Sequence, residues 1–179
     1  MTRSWFLRIG ALLAAAGLAA ASAPSALSSH RQPSVSLSSL ELGVVADINA
    51  LRTSHHLAAL SLSPALTDAA RAHSQEMETD GYFAHDSFDG TAFWKRIQSF
   101  YPSTSWGYWS VGENLLWSSP GVDAEGALTM WLNSPEHKKN MLDPSWREIG
   151  ISAVHEQAAP GVYNGLAVTI VTTDFGVRR

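Results

Sequence analysis

From Leu40 onward apolar residues recur every third or fourth position, at Leu40, Val44, Ile48 and Leu51, the period of a helix with one buried face. Ser38-Ser39-Leu40-Glu41 stands at its start as a capping-box pattern, with Glu41 placed to reach back to the helix N-terminus, and the helix is predicted to run to about Ser54. Leu60-Ser61-Leu62 reads as a short connector. Ser63-Pro64 opens a second helix, a hydroxyl at the N-cap followed by a proline whose missing N–H is harmless in the first turn. Leu66, Ala69, Ala70, His73 and Met77 mark its buried face, and Gly81 ends it. The helical period already accounts for His73, which therefore reads as a core histidine with a hydrogen-bond partner.

Asp86 to Gly90 is turn-rich, and Thr91 to Phe100 is predicted as a short helix with Phe93, Ile97 and Phe100 inward. After a loop from Pro102 to Gly107, Tyr108 to Trp117 looks extended around Gly112. Gly121 to Asn133 is predicted helical, capped by Asp123, with Ala124, Ala127, Leu128 and Trp131 on the buried stripe. Pro144 to Arg147 is a turn. Ile149 to Val154 and Val162 to Phe175 read as strands, the second alternating through Leu166, Val168 and Ile170, with a Pro160-Gly161 turn region between them. Neighbouring strands mixed with helices predict an α+β fold with an antiparallel sheet.

Composition adds the setting. The 179 residues are enough for one domain with a proper core, and 45% apolar with 16% charged residues belongs to a folded globular chain. Arg3 and Arg8 flank an aromatic start, and the apolar run from Ile9 to Ala23 is too short for the ~20 residues that cross a bilayer, so residues 1–23 are expected to be a signal peptide cut near 21–23. A Ser/Pro-rich lead, 24–38, precedes a domain at 39–179. No cysteine is present, which removes thiol catalysis, Cys-ligated zinc, disulfides and a lipoprotein anchor. The expectation is a secreted, extracellular protein, exported from a bacterium, with no stable membrane anchor after cleavage. A net charge of −4 without a Lys/Arg cluster argues against nucleic acid and against a polybasic membrane patch.

The candidate chemistry lies in three segments: Phe83-Ala84-His85, Gly112-Glu113-Asn114, and Ser134-Pro135-Glu136-His137-Lys138-Lys139-Asn140. Two histidines and a carboxylate at element edges can bind a divalent ion or move protons. His85 sits in a loop, where its ring need not be satisfied inside the packing, against a core role for it. His137 follows Pro135 at a helix N-terminus, which disfavours its protonated form; structural capping is the bland reading. Glu113 is placed either to orient a histidine by accepting its ring N–H or to pair with backbone at a sheet end. Asn140 suits holding the loop by side-chain to backbone bonds.

The ordered set formed by Asn49-Ala50-Leu51-Arg52, Leu66 through His73 to Met77, Gly81-Tyr82-Phe83-Ala84-His85, Gly112-Glu113-Asn114, Trp131 to Leu142 and Ile149-Gly150-Ile151 resembles the CAP superfamily of cysteine-rich secretory, antigen-five and pathogenesis-related proteins, in its short bacterial secreted branch. The resemblance spans about Leu40 to Gly176. It implies a three-layer α-β-α sandwich with a central antiparallel sheet, and a cleft carrying two histidines and two acidic residues where some members bind divalent metal. His85, Glu113 and His137 match three of those positions. At the fourth this chain has Ser134, and Glu136, two residues on, is the candidate substitute.

Three functions follow from these residues. The first is a His/Glu cleft binding a divalent metal, zinc through His85 and His137, or a small ligand without turnover, with Glu113, Glu136, Ser134 and Asn140 around it. The second is an extracellular hydrolase acting on peptide or cell-envelope material through Glu113 and His137. The third is a protein-interaction module with a vestigial cleft. The partner would be a small ligand or an envelope component. His155-Glu156 lacks the second histidine of a zinc-protease helix, and neither a Gly-x-Ser-x-Gly elbow nor a phosphate loop occurs. Trp94, Trp106, Tyr108, Trp109 and Trp117 read either as ordinary packing or as an aromatic wall near the His85/Glu113 cleft.

Overall fold

The computed structural model describes residues 37–179, so the expected signal peptide and nearly all of the lead lie outside the described residues. Helix α1, Ser39–Ser54, begins with the reciprocal capping box read from the sequence: Ser38 Oγ accepts from Glu41 N at 3.2 Å and Glu41 Oε2 accepts from Ser38 N at 2.7 Å. Glu41 Oε1 also accepts from Ala153 N at 2.9 Å, so the cap ties the helix to the sheet. Helix α2, Pro64–Asp80, ends at Gly81 in the left-handed region, φ 67°, where glycine carries no Cβ penalty. Its face of Leu66, Ala69, Ala70, His73 and Met77 is fully buried.

Two differences surround these helices. Ser61–Leu62 is a strand, β1, parallel to the later strand β3, Glu148–Glu156, rather than a connector. The Ser63 N–H bonds Ile149 O at 2.8 Å, and its hydroxyl makes no cap bond. A two-residue strand has no alternation to read. The last strand, β4, is Val168–Arg178 and not 162–175. Gly161–Tyr163 is a 3-10 turn, and Asn164 and Gly165 both have positive φ, which breaks extended backbone before Val168. Leu166 is exposed accordingly.

The sheet runs β1-β3-β4-β2, where β2 is Trp109–Ser118. Its three long strands pair antiparallel, as the α+β reading requires, and the small β1 adds a parallel edge. Strand β4 lies between two partners and under helices on both faces, so its residues are buried almost without alternation.

Helices α2 and α3, Phe93–Phe100, pack on one face; α1 and α4, Ala124–Leu132, pack on the other. The α1/α4 side holds the largest apolar cluster, with Val44, Ile48 and Trp131 against Ile149, Ile151, Val171 and Phe175. Helix α4 starts at Ala124 rather than Gly121, capped by Asp123, whose Oδ1 accepts from Gly126 N at 2.8 Å. In α3, Ile97 is buried as predicted but Phe100 is exposed, and the following Tyr101 takes the core position. Helix α5, Pro135–Met141, lies beside β2.

Candidate functional site

Strand β2 is an outer strand of the sheet, and among the described strands it pairs with β4 alone. At its Gly112-Glu113-Asn114 stretch, α5 comes in close enough that a Cβ on Gly112 would lie 2.7 Å from Asn140 Oδ1 and 2.8 Å from Trp146 Cζ2. Only glycine permits that approach. Asn140 Nδ2 donates to Glu113 O at 3.1 Å and to Asn114 Oδ1 at 2.9 Å, and Asn114 Nδ2 donates to His137 O at 3.1 Å. Asn140 thus acts as the predicted backbone clamp, fixing α5 to the strand while also facing the cleft. The far end of α5 is held by the buried Arg52, whose guanidinium donates to Met141 O at 2.7 Å and Asp143 O at 3.0 Å.

Ser134 and Pro135 start α5 with the same Ser-Pro sequence as Ser63-Pro64, but here the hydroxyl serves as the cap. Ser134 Oγ faces the His137 N–H at 3.5 Å, a long contact, as the N-cap. Of the two candidates for the fourth family position, Glu136 lines the cleft and Ser134 is the cap. His85, Glu113, Glu136, His137 and Asn140 all border a single cleft of about 430 Å³, with Phe93 and Asp143. None of Trp94, Trp106, Tyr108, Trp109 and Trp117 borders it, so the aromatic wall is not there. Trp109 bonds Tyr101 O, Trp117 packs edge-on against Tyr163, and Trp94, Trp106 and Tyr108 are exposed.

The cleft's electrostatics start behind it. Glu113 has a fully buried side chain; its Oε1 accepts from His85 Nδ1 at 2.8 Å and its Oε2 accepts from Arg96 Nη2. Arg96 Nη1 also donates to the His85 carbonyl at 2.8 Å, so one guanidinium holds both the carboxylate and the loop bearing the imidazole. With Nδ1–H on the carboxylate, a neutral His85 carries its lone pair on Nε2, and its side chain is half exposed toward solvent. No hydrogen bond joins Glu113 to His137 among the described residues.

His137 sits part-buried at the other wall. Its pKa is lowered first by burial and then by the nearby His85; the direction matches the sequence expectation, the leading cause does not. His73 lies deeper, fully buried, with Nε2 donating to Ala84 O at 2.9 Å, and burial again leads in lowering its pKa. It braces the residue before His85 rather than facing the cleft.

Two residues of this site escaped the sequence reading. Arg96 looks like half of a solvated Lys-Arg pair, and only tertiary packing turns it inward. Asp174 is fully buried on β4, directly opposite Glu113 in the β2–β4 register, and neither of its oxygens accepts a hydrogen bond from a described donor. Burial, then the Glu113 charge, raises its pKa well above the usual carboxylate value. A charged residue inside an otherwise apolar, β-branched run was the available signal.

The cleft's nitrogen donors are two imidazoles, with carboxylates near them. Among the described residues no set of three or more His, Asp or Glu side chains gathers at metal-ligand spacing. By donor type alone the two imidazoles would suit an open site completed by solvent, and the set does not fit a closed, four-ligand structural site.

Residues 45–172 match the cysteine-rich secretory protein family, CAP. Over 119 residues the chain is 34% identical to "Uncharacterized protein YkwD" of Bacillus subtilis (strain 168), covering 66% of this chain and 44% of that protein. An extracellular protein containing a SCP domain from Bacillus anthracis str. Ames superposes with a TM-score of 0.57 at 28% identity, covering 82% of this chain and 45% of the other. This chain therefore spans less than half the length of both. An outer surface protein from Borrelia burgdorferi superposes with a TM-score of 0.58 at 22% identity, over 76% of this chain and 90% of the other, a likeness of fold alone. On the family match over most of its length, the chain belongs to the cysteine-rich secretory protein (CAP) family.

Proposed function

We propose that this chain is an extracellular CAP domain whose cleft binds a divalent cation, or a small ligand in its place, through the imidazoles of His85 and His137, without turnover. The observation that carries the reading is the Glu113–His85 pair: a buried carboxylate fixes the Nδ1–H tautomer at 2.8 Å and leaves Nε2 as the donor atom. The lowered pKa of His137 supports the second donor, because a neutral imidazole keeps its lone pair. A bound cation would supply a Lewis-acid centre between the two walls of the cleft. Glu136 and Asp143 add two negative charges to the cleft lining against the one positive charge of Lys139, a balance that favours a cation.

The hydrolase reading is weaker because both Glu113 oxygens already accept hydrogen bonds, from His85 and Arg96, so the carboxylate lacks the freedom of a general base. The extracellular setting is supported by the Bacillus anthracis neighbour, an extracellular protein. No helix among the described residues is long and apolar enough to cross a membrane.

Zinc titration by calorimetry, with His85→Ala and His137→Ala proteins of matched folding, tests the proposal. Saturable binding lost in both variants is the expected result. An unmodified protein that takes up no zinc, or variants that bind as well as it does, would refute the metal reading. Chelator-sensitive cleavage of a peptide or envelope substrate would favour the hydrolase instead.

A further inference from the structure

Behind the cleft, two carboxyl groups face one another inside the protein. Glu113 and Asp174 are direct cross-strand partners, so their side chains share one face of the sheet, and both are buried. Asp174 has Glu113 on one side and, on the other, Gly150, which contributes no side chain. Helix α2 closes the space above: a Cβ on Gly150 would lie 2.1 Å from the Leu66 carbonyl carbon. Neither Asp174 oxygen receives a hydrogen bond from any described donor.

The charges around this pair do not balance if both acids are ionised. Arg96, from α3, is the buried cation here, bonded to Glu113 and to the His85 carbonyl, while the half-exposed His85 ring meets Glu113 from the loop before α3. From α2, burial lowers the His73 pKa and its Nε2 is already bonded to Ala84 O, while the Ser74 hydroxyl donates to Thr172 Oγ1 at 2.8 Å. β3 contributes Gly150 alone at this level. Two carboxylates against one buried guanidinium leave a buried negative charge without a partner, whereas a single proton on Asp174 makes the buried set neutral and turns one of its unbonded oxygens into a donor toward Glu113.

We propose that Asp174 is a neutral carboxylic acid in the folded protein and donates its proton to Glu113, making it the positioning residue that holds Glu113 as a single negative charge against His85 and Arg96. The pair resembles two acids sharing a site, where like charges keep one of them protonated. The raised pKa of Asp174 agrees with this, burial being the first cause and Glu113 the second. The inference concerns the metal-free protein and stands or falls separately from zinc binding.

The sign of its effect on stability is specific. A carboxyl with its pKa raised by folding stabilises fully below its unfolded value of about 3.9, and that contribution declines as pH rises toward the folded value. Asp174→Asn keeps a donor for Glu113 and removes the titration. Its unfolding constant is therefore expected to fall relative to the unmodified protein by up to about tenfold for each pH unit above about 5, the increment of one retained proton. A ratio independent of pH, or one that moves the other way, would overturn the proposal.

A second measurement does not depend on that variant folding. In the unmodified protein the carbon-13 shift of the Asp174 carboxyl is expected at the neutral-acid position at pH 7, and an ionised position would overturn the proposal. In Glu113→Gln the same carbon is expected to ionise at lower pH, because Arg96 then lacks its anion. An unchanged titration there would show that burial alone holds the proton, and would overturn the donation to Glu113.

Discussion

The two faces of the sheet are built on different principles. On the α1/α4 face, Val44, Ile48, Trp131, Ile151, Val171 and Phe175 meet as a dry apolar core, and the polar exceptions are tied to backbone: Trp131 Nε1 donates to Leu115 O at 3.0 Å. On the α2/α3 face, a chain of ionisable groups runs inward from the surface, from His85 through Glu113 and Arg96 to His73 and Asp174. Removal of apolar surface from water drives the first face together and is indifferent to pH. The second costs desolvation free energy, which its hydrogen bonds offset, and in return it fixes a histidine ring at the cleft. A reactive or binding group can be oriented rigidly only where a network behind it is complete.

The largest effects should come from breaking one face at a time. Trp131→Ala removes a fully buried ring and should cost about 3–5 kcal/mol in urea unfolding, with little dependence on pH. Arg96→Ala should cost a similar ~3–5 kcal/mol, because it leaves Glu113 ionised and buried without its cation. The two faces separate in the double variant: adding Glu113→Gln should recover much of the Arg96→Ala loss and none of the Trp131→Ala loss.

A smaller effect is read with pH. His73 and His137 have pKa values lowered in the fold, so the unfolded chain takes up protons first on acidification. Their contribution is complete above the unfolded value of about 6.5 and is lost as pH falls from there through the lowered folded values. The histidine contribution should accordingly lower the melting temperature below about pH 6.5, against the opposite trend expected from Asp174, and it should shrink in His73→Gln if that variant keeps the Ala84 bond. The smallest effect is expected at Trp94, exposed and outside the cleft: Trp94→Ser should change stability by no more than about 0.5 kcal/mol and leave zinc affinity unaltered.

The dry face and the site were legible in the sequence to different depths. The capping box at Ser38 and Glu41, the Ser63-Pro64 start and the Leu66-to-Met77 stripe are local patterns, and local patterns survive into the fold. His85, Glu113 and His137 were marked by their flanking glycines and proline, and the structure brings them to one cleft. Arg96 and Asp174 were not seen, because what defines them is a partner on another element. Arg96 is inward only because Glu113 lies opposite α3, and Asp174 matters only through a strand register that no local period encodes. Phe100 failed for the related reason that an apolar residue at the last turn of a short helix competes with its neighbour, and Tyr101 is the one that reaches the core.

The measurement that bears most directly on the cleft is a histidine nitrogen-15 NMR spectrum followed through a zinc titration. The account predicts that His85 and His137 shift together, that His85 keeps its Nδ1–H on Glu113 while Nε2 changes, and that the buried His73 stays still. Shifts confined to the exposed His55 and His56, or a His85 that moves without His137, would contradict it.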